Sequence, residues 1–432
     1  MIIALFLFAI VCTIILINFN YKNDGVTTIS AIIFSFLWYY CIIPIVFMAN
    51  KGPMLNSYGY VRLFANASDE QYLIALLVMA IFLSVLLITY HTKSIKYRVK
   101  HSYVNISCIK VIAGKIALFT YVLGGICFIY YIAAFGGVVR MLAYSEYMRS
   151  FANNGEIFLT HLQTIMYVPS RLITVSPILF IVSGAFEETK LIKTLFFWTS
   201  FILGFLFYLY DAGKMGIFVY LLSFLVPILF HYTKKAWVIT ILFGVLGTPL
   251  IGIADAVFHY ISMNEWEIDK NSSILVYFAQ YTFPFSNICN LDGILNLSGI
   301  RWCQDFITGF CNLIPGVNLS VSYEPTSMYY GGRYWTDSGG TPNDSITFGF
   351  IELWLFGVAL MGYLWGCISA KIDVALSQTP QTMPFVVLRC SLILLFFVIF
   401  VNADIVSIAR NQFTFTILLG LIIYCSRKKY LD

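Results

Sequence analysis

The sequence predicts an all-α polytopic integral membrane protein, with about eleven transmembrane helices and one large external loop. Three observations predict it. The 432 residues are 60% hydrophobic and 11% charged, with a mean hydropathy of +0.83, where soluble domains run at roughly 45–50% and 25%. Apolar runs of membrane-crossing length recur along the chain, and Lys and Arg gather in short blocks between them, the pattern of the positive-inside bias. One long polar stretch, His259 to Ser345, interrupts that pattern late in the chain.

A crossing helix needs roughly 17–25 mainly apolar residues. Runs that meet this lie near 2–19, 28–48, 72–90, 111–134, 163–184, 194–210, 216–232, 237–258, 346–369, 384–401 and 408–425. The first has neither a basic leading segment nor a small-residue cleavage site, so it is expected to be a retained helix. The chain thus divides into 1–258 (eight spans with short loops), 259–345 (the large loop, with short interfacial helices) and 346–432 (three spans and a basic tail).

Orientation follows from the basic residues. One set of connections holds Lys22, the block from Lys93 to Lys115, Lys190, Lys193, Lys234, Lys235, Lys371 and the tail Arg427-Lys428-Lys429. The opposite set holds fewer, spread over much more sequence, including Arg140, Arg301, Arg333 and Arg410. The denser set is expected to be cytoplasmic. That puts the N-terminus and the long loop outside and the C-terminus inside.

Net charge is +5, but the basic residues sit in loops between apolar runs, so nucleic acid is not expected as a partner. There is no CxxC or His/Cys cluster, no P-loop, no GxGxxG followed by an acidic residue and no HExxH, so no metal or cofactor is expected. Most of the ten cysteines lie in apolar runs and read as small buried hydrophobes. Cys289, Cys303 and Cys311 fall in the long loop and leave one disulfide open.

Chemistry is expected where the long loop meets the membrane. Arg171, in YVPSRLITVSP inside the fifth span, is a functional candidate because a charge at membrane depth needs a partner or a wet cavity. Its fork of donors suits phosphate oxygens. The alternatives are an ion pair with a neighbouring helix, or snorkelling to the outer face. Asp211 and Lys214 share a glycine-containing turn and are expected to lie close together, as a candidate cluster or as an ordinary solvated pair. Asp255 and His259 lie one helical turn apart, so His259 is either a general base oriented by Asp255 or a structural histidine.

In the loop, Arg301 and Arg333 are the two arginines, and Arg333 sits in the flexible, aromatic-flanked Gly331-Gly332-Arg333-Tyr334-Trp335. Asp344 or Ser345 is placed to cap the ninth span. Glu352, two turns on, falls inside the apolar run. Asp404 and Arg410 flank the last external turn. The loop's aromatics, among them Trp302, Tyr329 and Tyr330, suit stacking on sugar rings, although Tyr and Trp are also ordinary residents of a membrane interface. Arginines and carboxylates beneath an aromatic loop suit an anionic lipid headgroup carrying a polar substrate. The arginines would hold a pyrophosphate, and Asp344, His259 or Glu352 would take the proton of an attacking hydroxyl.

The overall plan resembles the O-antigen polymerases of the Wzy type, the oligosaccharide repeat-unit polymerases of bacterial inner membranes. The residues that carry the resemblance are the exit of the loop, Gly340-Thr341-Pro342-Asn343-Asp344-Ser345-Ile346-Thr347-Phe348-Gly349-Phe350-Ile351-Glu352, and the repeated glycines Gly357, Gly362 and Gly366 after it. The resemblance implies a metal-independent glycosyltransferase at the periplasmic face. It would transfer a growing glycan from undecaprenyl pyrophosphate onto the next lipid-linked repeat unit, without a cofactor. It would give Arg171, Arg301 and Arg333, with Arg140 or Arg410, the role of holding the pyrophosphates. It also implies as partners membrane lipid, the undecaprenyl-pyrophosphate-linked oligosaccharide, a chain-length regulator and a flippase. The sequence departs from the family in loop 135–162, which carries only Arg140 and Arg149. An O-antigen ligase and a lipid-linked oligosaccharide flippase or other transporter are the alternatives.

Overall fold

The computed structural model describes residues 1–22, 26–49, 64–99, 104–144, 160–186, 191–211, 214–232, 260, 280–311, 319, 326, 329–330, 342–402, 408 and 412–426. Every regular element among the described residues is helical. In order they are α1 (Ile2–Lys22), α2 (Thr28–Ala49), α3 (Asp69–Val99), α4 (Ile106–Ala134), α5 (Val138–Ala143), α6 (His161–Ser170), α7 (Ser176–Val182), α8 (Leu191–Tyr210) and α9 (Lys214–Tyr232). Then come α10 (Phe283–Cys289), α11 (Leu291–Ser298), α12 (Gln304–Cys311), α13 (345–352), α14 (355–377), α15 (Met383–Ile399) and α16 (Phe413–Cys425).

Among the described residues, seven stretches are long and apolar enough to cross a membrane: Ile2–Phe19, Thr28–Ala49, Asp69–Arg98, Ile106–Ala134, Ile165–Val182, Leu191–Tyr210 and Ser345–Ser377. Three shorter apolar helices, Gly216–Leu229, Met383–Ile399 and Phe413–Cys425, stand where further spans are expected. The expected span at 237–258 lies outside the described residues. Large apolar side chains are exposed all along α1, α4 and α8, for example Ile14, Phe119 and Leu195, as lipid-facing helices require. All ten cysteines are free, so the loop disulfide left open above is not formed.

The chain forms two compact units. The first comprises Met1–His101, Ser272–Val374 and Phe396–Ala409. Within it, the N-terminus of α2 is capped by its own Thr27, whose side chain accepts from the N–H of Ser30. The carboxylate of Asp373 on α14 caps it as well, accepting from the N–H of Thr28 (2.8 Å) and Ile29 (3.3 Å). Halfway along, α2 widens into a π-helical stretch, Leu37–Ile42. Pro44 explains it, because a proline lacks an N–H and its ring pushes away the carbonyl one turn back. The widened turn carries Tyr39 and Tyr40 into the core.

The expected ninth span is not one straight helix. Leu353 and Trp354 leave helical geometry, Trp354 with φ +55, and the chain doubles back. In a straight helix Gly349 and Gly357 would stand roughly 12 Å apart and Ser345 and Trp365 roughly 30 Å. Here the Trp365 indole N–H donates to Ser345 Oγ at 2.9 Å, and a Cβ on Gly349 would lie 2.5 Å from the carbonyl oxygen of Gly357. So α13 packs antiparallel on α14, with glycines where the backbones touch. The freed carbonyls at the end of α13 are paired: the N–H of Arg301 donates to Ile351 (3.0 Å) and that of Trp302 to Glu352 (2.9 Å). Further along α14, Gly362 and Gly366 face the backbone of α3 around Phe82 and Leu86, letting those two helices approach closely. The helix α10 is buried along its whole length.

The second unit comprises Ser102–Asn271, Ala375–Leu395 and Arg410–Asp432. The expected fifth span here runs α6, a 3-10 turn (Arg171–Thr174) and α7. Pro169 and Pro177 bracket the tightened turn, which is the local reason for it. Gly124 on α4 gives this turn its seat: a Cβ there would stand 2.5 Å from the amide nitrogen of Ile173. An aromatic cluster of Phe128, Tyr131, Phe135, Phe207 and Tyr210 joins α4 to α8, with Met141 and Ile173 completing it. The Arg389 guanidinium donates to the Leu376 carbonyl at 2.8 Å, satisfying a helix C-terminus.

The glycine contact makes a direct prediction. Gly357→Ala places a methyl group against the Gly349 carbonyl and is expected to lower stability by about 1–3 kcal/mol. Gly420→Ala, in α16 with open space around it, is expected to be neutral or stabilising by up to about 1 kcal/mol. Thermal unfolding of the purified variants in detergent checks both, and equal effects at the two positions would refute the doubled-back hairpin.

Candidate functional site

In the second unit the 3-10 turn presents Arg171 to a small cleft lined by Arg171, Thr174, Phe207, Tyr208, Asp211 and Phe413, with about 230 Å³ of empty space counting its open mouth. The Arg171 guanidinium meets Asp211 Oδ1 at 3.2 Å and the Tyr167 hydroxyl at 3.0 Å. Tyr167 in turn donates to the same Asp211 oxygen. Tyr167 precedes Arg171 by four residues, so both lie on one face of the turn. The guanidinium carbon also stands 4.9 Å from the Tyr167 ring centroid and 5.9 Å from that of Phe207, within cation–π range. Arg171 and Asp211 keep 15% and 28% of their side-chain surface exposed, so the pair is shielded from bulk solvent yet reachable from the cleft.

Beneath the pair, the Tyr131 and Tyr210 hydroxyls are 2.6 Å apart, and Tyr167 packs on both Tyr131 and Phe207. The threonines Thr174 and Thr414 share a hydroxyl hydrogen bond of 3.3 Å. Arg140 is exposed on α5, whose Met141 joins the same aromatic cluster. Asp211 pairs with Arg171, forty residues away in sequence, a contact that the turn with Lys214 did not suggest. The side chain of Lys214 lies outside the described residues.

The first unit gathers other candidates. Asp344, wholly buried, accepts five hydrogen bonds: from Tyr40, the N–H groups of Ile346 (3.0 Å) and Thr347 (3.1 Å), the Thr347 hydroxyl (2.6 Å) and the Asn287 amide (3.3 Å). It caps α13, as expected from sequence, and it does so midway along α14, since Ser345 touches Trp365. Burying a carboxylate away from a counter-charge costs several kcal/mol. Five donors and the positive end of a helix offset this. With both oxygens taken up by donors, the carboxylate has little capacity left to accept a substrate proton. The neighbouring Asn343 is equally buried, and its side-chain nitrogen and oxygen meet no partner among the described residues.

At the turn between α13 and α14, Arg301 pairs with Asp305 at 2.7 Å, and Glu352 lies against both. Asp305 and Glu352 are each about 1% exposed. Two candidates, Arg301 and Glu352, are thus brought together with a third group, Asp305. The adjoining Trp302 and Trp354 are 74% and 54% exposed and both have positive φ, a strained arrangement for bulky residues. Of the expected sugar-stacking aromatics, Tyr329 and Tyr330 are buried in the core with Ile294 and Ile351, while Trp302 is free to stack.

His259, Arg333 and Arg410 lie outside the described residues. Tyr40, Tyr167, Asn287 and Asp305 were not singled out from sequence. Tyr167 and Asp305 carried a usable signal, each spaced four residues from its arginine. Tyr40 and Asn287 reach Asp344 across long sequence separations. Among the described residues no group of three or more His, Cys, Asp or Glu side chains is placed to hold a metal ion. No protein-family model, characterised protein or solved structure matches the chain.

The Asp344 hub makes a prediction. Asp344→Ala leaves five buried donors without an acceptor and is expected to lower stability by about 3 kcal/mol or more. Tyr40→Phe removes one donor only and should cost about 1–2 kcal/mol. Thermal or denaturant unfolding in detergent reads both, and an Asp344→Ala variant as stable as the parent would show that the carboxylate does not hold the hairpin.

Proposed function

We propose that this protein polymerises undecaprenyl-pyrophosphate-linked repeat units of an O-antigen or related surface polysaccharide at the periplasmic face of a bacterial inner membrane. The growing glycan is passed from its lipid pyrophosphate onto the next lipid-linked unit, and the enzyme is a metal-independent glycosyltransferase. The observation that carries this reading is Arg171. It stands within a membrane-crossing helix, in a turn tightened by prolines, and opens onto a cleft between aromatic walls. A charged residue at such depth is costly and marks a site that handles charge. The guanidinium fork matches phosphate oxygens, and charge on a departing pyrophosphate is what the reaction must stabilise. Membrane lipid and the lipid-linked oligosaccharide are the partners on this reading, with a chain-length regulator and a flippase beside them.

A second reading, a transporter of lipid-linked oligosaccharide, is favoured by a different observation. The α13 N-terminus and its buried polar cluster sit midway along a membrane-crossing helix, and discontinuous helices of that kind build substrate sites in transporters.

The test is a strain deleted for the gene and complemented with wild type or Arg171→Ala, with its lipopolysaccharide resolved on a gel. The polymerase reading expects the deletion to show core bearing a single repeat unit in place of a ladder. It expects Arg171→Ala to restore less than about 1% of the ladder, the loss typical of one removed transition-state charge contact. Core without any repeat unit in the deletion would instead favour a ligase or a transporter. A full ladder from Arg171→Ala would remove that arginine from the site.

A further inference from the structure

We infer that Asp211 is the general base of the transfer, accepting the proton of the acceptor sugar's hydroxyl. This inference rests on the polymerase reading above.

Asp211 follows the last residue of α8 and lines the Arg171 cleft. Both of its side-chain hydrogen bonds fall on one oxygen: Tyr167 and Arg171 hold Oδ1. Among the described residues Oδ2 carries no hydrogen bond, and the side chain keeps 28% of its surface exposed. One oxygen is therefore anchored by two donors on a side chain that lines the cleft. That is how a carboxylate is aimed at an incoming O–H group.

The same contrast separates it from Asp344, Asp305, Glu352 and Asp373. Asp344 is fully buried with its oxygens occupied. Asp305 and Glu352 are about 1% exposed. Asp373 is spent on the first turn of α2 and on Tyr90. Asp211 alone among these five is anchored, reachable and beside a phosphate-binding guanidinium.

The chemistry balances without a metal or a redox partner. The acceptor hydroxyl oxygen forms a bond to the anomeric carbon of the donor glycan while the bond from that carbon to the pyrophosphate oxygen breaks. The bonding electrons leave with the pyrophosphate, whose charge Arg171 meets. The hydroxyl proton passes to Asp211 Oδ2 and from there to water at the open mouth of the cleft.

The experiment uses the full-length protein in proteoliposomes, supplied with carrier-linked repeat unit extracted from the deletion strain. Product length and initial rate are read for wild type, Asp211→Asn, Asp211→Glu and Tyr167→Phe. Asp211→Asn is expected to lower kcat at least about 100-fold, with the donor KM within about threefold of wild type. Asp211→Glu should recover part of the rate. Tyr167→Phe removes one anchor from Oδ1 and should lower kcat several-fold at constant KM; if Asp211→Asn does not fold, this result decides. A purely structural Asp211 would act by misplacing Arg171, and Asp211→Asn would then raise the donor KM along with any fall in kcat. That outcome, or an Asp211→Asn rate within about threefold of wild type, overturns the base while leaving the polymerase intact. Wild type that builds no polymer from the extract overturns the polymerase reading and the base with it.

Discussion

A chain this apolar is free to leave helical geometry only where protein atoms take over the backbone hydrogen bonds that the helix gives up. That constraint organises the structure around Asp344. Its carboxylate takes the first free N–H groups of α13, Arg301 and Trp302 supply N–H groups to the last carbonyls of α13, and Ser345 donates its N–H to the Phe400 carbonyl. Without those partners the short helix would expose its ends inside the core, and the segment would have every reason to run straight on. The glycines at positions 349 and 357 then allow the two arms to close.

The second unit meets the same constraint differently. Prolines at 169 and 177 remove amide donors, and the intervening residues tighten into a 3-10 turn. The Thr174 hydroxyl donates to the Arg171 carbonyl at 2.8 Å, and the Thr120 and Ser176 hydroxyls meet at 2.9 Å, so the break is lined with polar groups that have partners. Arg171 points from this break into a cleft where Asp211 and Tyr167 receive it. A broken helix thus does two jobs at once: it frees the backbone from regular geometry and it gives a charged side chain somewhere to go.

Much of the candidate site was legible in the sequence, one residue at a time. Arg171 stood out as a charge inside an apolar run, Asp344 as a cap ahead of one, and Glu352 as a carboxylate within one. Their company was not legible. Asp211 looked like half of a turn with Lys214, because proximity in sequence is the only proximity a sequence displays. Tyr40 and Asn287 looked like ordinary members of apolar segments, yet both donate to Asp344 from 304 and 57 residues away. The straight ninth span was expected because Ser345–Ser377 contains no proline, and glycine and apolar residues give no local signal for a reversal.

The sequence by itself determined the class of protein and the positions of its long helices. Both follow from solvation, which is summed residue by residue and therefore written in composition and in the length of apolar runs. It also marked the places where charge enters those runs. Only the tertiary structure decided that Ser345–Ser377 doubles back, that Arg171 belongs with Asp211, and that Asp344 serves as the anchor of a hairpin. Each of those depends on hydrogen bonds and backbone contacts between residues far apart in the chain, whose geometry exists only once the helices have packed.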